Sequence, residues 1–237
     1  ALENGHLYCL DAEGNTGGPG GYSGSTKMYW SWPSETPEGS DPNQTAAIDG
    51  PDGIALMPTN FGSSAPLIQQ VATGTGNEWR VFIASTNGRV YALSATGNGD
   101  GTTSRRWSWP SDYPSATPDA TNFGEIKGSV TYGVSSDGTT ANIPTIFVPA
   151  PAGRVYALNA AGDATTLTTN TIWTYPRPAD APLGELVTTP VFSGLGGTNR
   201  LFFGAGATLF AVDTTDSDAD GVGNLSWKTA GDGPAAA

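Results

Sequence analysis

The densest set of metal-ligating side chains lies near the C-terminus, in the run Asp216-Ser217-Asp218-Ala219-Asp220-Gly221-Val222-Gly223-Asn224. Aspartates at alternate positions followed by Gly match the first half of an EF-hand-like calcium loop. That spacing lets the carboxylates of Asp216, Asp218 and Asp220 converge on one hard cation while Gly221 permits the sharp turn. The twelfth position, where a bidentate Glu belongs, is Trp227. Two readings stay open: a Ca²⁺ loop, or an acidic hairpin turn without a cation. Other constellations are thin. His6 is the only histidine and Cys9 the only cysteine, which excludes a His-ligated metal centre, a Ser-His-Asp triad and an internal disulfide. No Cys-x-x-Cys-His run binds haem, and no carboxylate pair stands out for glycoside cleavage. The expectation is therefore a protein that is not an enzyme.

The elements that must carry these residues follow from a repeat. One phrase recurs four times: Gly5-His6-Leu7-Tyr8-Cys9-Leu10-Asp11, Gly88-Arg89-Val90-Tyr91-Ala92-Leu93-Ser94, Gly153-Arg154-Val155-Tyr156-Ala157-Leu158-Asn159 and Ala207-Thr208-Leu209-Phe210-Ala211-Val212-Asp213. Each copy leads through a Gly- or Asp-rich turn to a tryptophan: Trp30, Trp107, Trp173 and Trp227. Self-similarity on this scale marks a repeat architecture. In the second copy, residues 65–71, 79–84, 89–93 and 105–109 read as four strands, with Asn87-Gly88 as a tight hairpin turn. The third copy gives strands at 128–134, 145–149, 154–158 and 171–175. The fourth gives 186–192, 200–204, 208–212 and 225–228. The first begins at what is elsewhere the third strand and yields only 7–10 and 28–32.

Four-stranded repeats of this length indicate an all-β fold, a β-propeller of four-stranded antiparallel blades, with about three and a half blades in this chain. The segments are a half-blade at 1–33 and blades at 62–110, 124–176 and 184–228. Long Pro-, Ser-, Thr- and Asp-rich inserts occupy 34–61 and 111–123. Loops of that length are either functional or surface decoration. Trp32, Trp109, Tyr113 and Tyr175 flank or enter the inserts. They form a binding surface for sugar rings or protein if exposed, and pin the inserts to the blades if packed.

The chain has 237 residues, with Gly 33 and Pro 18, as a turn-rich β fold requires. Its net charge of −12 argues against nucleic acid as a partner, because phosphate binding needs clustered cations. No segment is apolar enough to span a bilayer as a helix. No signal peptide opens the chain, so an exported form is expected here as a processed or partial chain.

The runs Ala92-Leu93-Ser94-Ala95-Thr96-Gly97 with Trp107, and Ala157-Leu158-Asn159-Ala160-Ala161-Gly162 with Trp173, resemble the repeat of the pyrroloquinoline-quinone-type propeller family. Cys9-Leu10-Asp11-Ala12-Glu13-Gly14 with Trp30, and Ala211-Val212-Asp213-Thr214-Thr215-Asp216 with Trp227, are looser copies. The resemblance implies that Trp30, Trp107, Trp173 and Trp227 are structural docking residues that lock each blade to a neighbour. It does not imply the quinone. The quinoprotein dehydrogenases of the family hold a calcium-bound quinone, often beside a vicinal disulfide, and no such cofactor shell is legible here. The family also has non-enzymatic members, among them an outer-membrane assembly lipoprotein. The leading expectation is thus a non-catalytic, extracytoplasmic scaffold for protein–protein interaction or assembly, completed by a protein partner or by additional blades. The alternatives are a calcium-dependent adhesin or carbohydrate-binding propeller, and a fragment of a quinoprotein dehydrogenase.

Overall fold

A computed structural model describes residues 6–11, 28–32, 64–86, 88–110, 125–150 and 152–229. Both long inserts and Tyr113 lie outside these residues. Among the described residues, fourteen strands form four antiparallel sheets. The first sheet pairs β1 (Leu7–Leu10) with β2 (Met28–Trp32). The second is β3 (Leu67–Thr73), β4 (Gly76–Ala84), β5 (Val90–Ser94) and β6 (Arg105–Trp109). The third is β7 (Thr131–Ser135), β8 (Ile143–Ala150), β9 (Arg154–Asn159) and β10 (Thr171–Tyr175). The fourth is β11 (Val191–Ser193), β12 (Arg200–Ala205), β13 (Thr208–Asp213) and β14 (Asn224–Lys228). Each full sheet is a meander in chain order. The first strands lie nearest one another, β7 touching both β3 and β11. Sheets meeting at their first strands are blades around an axis, so the chain is a partial β-propeller.

Alternation along the strands explains why sheets stack face to face. Successive side chains point to opposite faces, so each central strand serves two interfaces. In β4, Val81 and Ile83 join Leu7, Trp30, Trp32, Tyr91 and Leu93 in a cluster against the first sheet. Phe82 and Ala84 of the same strand join Val90, Ala92, Trp107, Ile146, Val148 and Leu158 in the cluster against the third sheet. A third cluster, with Phe147, Ala157, Trp173, Leu201, Phe203 and Val212, joins the third and fourth sheets. Three layers of buried aliphatic and aromatic side chains therefore hold four sheets together.

Strand positions differ from expectation mainly at the first strands. The apolar run 186–192 forms a strand only over Val191–Ser193, and Leu186 is instead buried in the loop before it. The third sheet's first strand starts at Thr131 rather than 128. Gly128 sits against Pro149 and the Thr188 carbonyl of the next sheet's approach, so these residues serve packing between blades rather than sheet pairing. Trp32 and Trp109 are buried: Trp32 packs on Tyr91 at a ring distance of 4.9 Å and Trp109 on Tyr156 at 4.8 Å. Tyr175 packs against the stacked pair Phe203 and Phe210, 6.3 Å from each ring. These aromatics fill sheet interfaces and do not form an exposed binding surface.

Candidate functional site: sheet joints and an open sheet face

A single joint is repeated three times. Trp30 donates its indole N–H to the Ala95 carbonyl at 3.0 Å, and Ser31 N–H reaches the Gly101 carbonyl. Trp107 donates to Ala160 O at 3.0 Å, and Ser108 N–H to Leu167 O. Trp173 donates to Thr214 O at 3.1 Å and to Ser135 Oγ, and Thr174 N–H to Gly221 O. Each time, a tryptophan and the backbone N–H after it clasp the turn between the third and fourth strands of the next sheet. The ring needs room there. A Cβ on Gly97 would lie 2.6 Å from Trp30 Cδ1, and one on Gly162 2.7 Å from Trp107 Nε1. Glycine at these positive-φ positions therefore serves both the turn and the approach of the ring. Burying a full indole with its N–H satisfied makes each joint a major anchor.

The second joint carries an additional cation. Arg80 is 2% exposed and donates Nη1 to Ala160 O at 2.8 Å and to Ala161 O. Its Nε pairs with Glu78 at 3.0 Å, and Glu78 also pairs with Arg106. Ala160 O thus accepts from Trp107 and Arg80 together. Burial lowers the Arg80 pKa, and Glu78 partly offsets this. Above this joint the hairpin around Gly74 and the turn around Asp163 leave a polar groove of about 710 Å³, walled by Glu78, Arg80 and Arg106. At the next joint the corresponding space is closed. Ser136 N–H bonds Thr214 O there, and Asp216 N–H bonds Ser136 O.

Asp216, Asp218 and Asp220 come together, with a carboxylate oxygen of each within 4.8 Å of the others. Asp216 stands where the two preceding joints have Gly97 and Gly162. Its side chain is buried and accepts from the Asp220 and Gly221 amides, the latter at 2.9 Å. Desolvation raises its pKa first, and the hydrogen bond that its protonated carboxyl donates to Asp218 adds to this, against the Gly221 and Asp220 amides, which lower it. Asp220 accepts from Val222 N–H and pairs with Arg177. The donor set suits a hard cation in residue type, but Arg177 already supplies a positive charge and Asp216 is committed to backbone donors. Trp227 at the twelfth position provides no oxygen ligand. Three other turn aspartates behave as ordinary caps: Asp100, Asp137 and Asp163 each accept from threonine groups two or three residues on, which lowers their pKa. Cys9 is half-buried beneath Trp30, and burial raises its thiol pKa, so it is a packing residue.

The fourth tryptophan differs from the other three. The row Leu67–Phe82–Ala92–Trp107 crosses the outgoing face of the second sheet, and Thr131–Phe147–Ala157–Trp173 that of the third. Both rows are covered by the following sheet. Val191–Phe202–Ala211–Trp227 is the same row in the fourth sheet. The aromatic pair inside each row is kept, with centroids 5.7, 5.7 and 5.9 Å apart. In the fourth row Trp227 is 40% exposed and Val191 60%, and the Trp227 indole N–H has no acceptor among the described residues. The sequence implies a docking role for Trp227 and an incomplete ring of blades, and does not by itself show which face is left open. Exposure at Leu209 is equally illegible in the sequence, because its repeat equivalents Val90 and Val155 are buried.

No known family's sequence profile matches the chain, and no curated protein matches it in sequence. Among solved structures it is similar to a europium-containing methanol dehydrogenase, at 17% identity and a TM-score of 0.35. The match covers 69% of this chain and 26% of that enzyme, so the chain spans about a quarter of its length.

Proposed function

We propose that this chain is a non-catalytic propeller scaffold that assembles with protein through the outgoing face of its fourth sheet. The observation that supports this reading is the open row Val191–Phe202–Ala211–Trp227, a fourth copy of a face whose other copies are covered. Apolar rows of this kind lose water on docking, and a Trp with a free N–H is a typical interface anchor. The polar groove beside Arg80 offers charge-neutralised walls rather than an activated nucleophile or base, which favours binding over chemistry.

A photo-cross-linking residue placed at 227, with the same residue at 195 as control, tests the assembly reading in native material. Leu195 is 86% exposed on the 3-10 turn Leu195–Gly197. A discrete protein adduct from 227 and none from 195 is expected. Equal labelling from both, or none from 227, would contradict it. The non-catalytic part fails if the chain reduces a dye acceptor when given pyrroloquinoline quinone, Ca²⁺ and a primary alcohol.

A further inference from the structure

We infer that the polar groove between the second and third sheets binds a small hydroxylated ligand through an anionic group, a carboxylate or a phosphate. The site stands apart from the fourth-sheet face and does not depend on the assembly reading. Two guanidiniums share one carboxylate there. Glu78 Oε2 accepts from Arg80 Nε at 3.0 Å, and Glu78 Oε1 accepts from Arg106 through Nε and Nη2. Arg80 is buried, and its Nη1 is committed to the Ala160 and Ala161 carbonyls. Its Nη2 and the Nη1 of Arg106 have no acceptor among the described residues, and both side chains line the groove. A guanidinium edge left open in this way matches the paired oxygens of a carboxylate or phosphate. The trio of Glu78, Arg80 and Arg106 carries a net positive charge in a chain whose net charge is −12. The groove as a whole is neutral only through Asp163, whose Oδ1 is tied to its own turn by the Thr165 and Thr166 amides at 2.7 and 3.2 Å.

The fold does not require this trio. Phe82 and Phe147 hold equivalent places, paired with Ala92 and Ala157. Two and four residues before them, Arg80 and Glu78 correspond to Thr145 and Ile143, and Arg106 before Trp107 corresponds to Ile172 before Trp173. The joint after the third sheet is thus built with no charge at these positions, and its tryptophan is equally buried. In the fourth sheet the place of Arg80 is taken by Arg200, which has a carboxylate of its own, Asp213, at 3.0 Å. Two cations on one carboxylate therefore belong to the groove and not to the blade joint. Thr75 and Asn77 on the hairpin and Thr165 on the facing turn complete the lining with groups suited to ligand hydroxyls. The groove volume of about 710 Å³ suits a small molecule.

Titration of the 237-residue chain with glucuronate, glucose 1-phosphate and glucose at constant ionic strength tests this, followed by NMR of the backbone amides of residues 73–78 and 161–165. At least one of the two anions should shift these signals saturably, with a Kd on the order of 1 mM. Glucose should bind at least ~10-fold more weakly. A response to one anion alone supports the site and identifies the group it takes. Arg106→Gln, at a partly exposed side chain, should weaken binding about 10-fold. Thr75→Glu should do the same by placing a like charge on the exposed hairpin, and it leaves both guanidiniums in place. Asp163→Asn keeps a capping oxygen for the turn and removes a repelling charge, so it should bind at least as tightly as wild type. No saturable shift from either anion up to ~50 mM, equal binding of glucose, unchanged binding in either Arg106→Gln or Thr75→Glu, or lost binding in Asp163→Asn overturns the inference. None of these results bears on Trp227, so this site and the assembly reading fail separately.

Discussion

Gly162 and Gly206 form a matched pair that isolates the energy of one sheet joint. Their φ angles are +51° and +57°, so alanine pays a similar left-handed penalty at either site, about 1–2 kcal/mol. Around Gly206 nothing lies within 4 Å of an added Cβ, whereas at Gly162 that atom would collide with the fully buried Trp107 ring. The ring cannot slide away freely, because its N–H is fixed on Ala160 O and its face on Phe82. Forcing it aside is an overpacking event that costs a further ~1–3 kcal/mol. Gly206→Ala should therefore cost about 1–2 kcal/mol and Gly162→Ala about 2–5 kcal/mol. Urea unfolding followed by circular dichroism, with unchanged slope, reads both values. The decisive comparison is a double-mutant cycle. In a Trp107→Ala background the cost of Gly162→Ala should fall by about 2 kcal/mol toward, but not to, the Gly206→Ala level, because the Thr168 carbonyl oxygen still lies 2.9 Å from the added Cβ. Equal costs for the two glycines, or an additive cycle, would refute the clasp as the source of joint stability.

Other consequences are simpler to measure. Arg80→Met removes charge-assisted bonds to two carbonyls from a buried site and should destabilise by about 2–3 kcal/mol, read by the same unfolding assay. The turn carboxylates Asp100, Asp137 and Asp163 have lowered pKa values in the folded state. Their stabilisation is present above the unfolded Asp range and is lost as pH falls through the folded values, so Asp163→Ala should flatten the acid limb of a melting-temperature profile. Asp216 has the opposite sign: its pKa is raised by burial, so its ionisation opposes folding as pH rises, and Asp216→Asn should narrow the loss of stability on going from acid to neutral pH. Because Arg177 pairs with Asp220, the acidic loop is expected to keep its melting temperature in chelator. A clear drop that Ca²⁺ restores would identify the loop as a cation site.

Much of the fold was legible because alternation and the recurring phrase act locally. The third and fourth strands were placed within a residue of their observed ends, since the Tyr/Phe-Ala-Leu/Val core and the tryptophan define their register. First strands were less legible. Leu186 and Val187 look like strand residues, yet Leu186 fills a gap between sheets and only Val191–Ser193 pairs. Side-chain pattern does not distinguish burial between blades from burial within a sheet. The convergence of Asp216, Asp218 and Asp220 was readable from spacing, but Arg177 lies 39 residues or more away in the sequence and joins only through the fold. Arg80 illustrates the same limit. Its strand neighbours read as an alternating pattern, and nothing local signals that its guanidinium reaches carbonyls 80 residues further along.

The central claim is that three tryptophan joints are filled and the fourth is open until a partner arrives. Hydrogen exchange of the indole N–H groups, followed by NMR, tests it most directly. In the isolated monomer, Trp30, Trp107 and Trp173 should exchange slowly, with their hydrogens bound to carbonyls of the next sheet. Trp227 should exchange rapidly, then become as slow as the others in the assembled form. A Trp227 indole that is already protected in the monomer, or still unprotected in the assembly, would contradict the account.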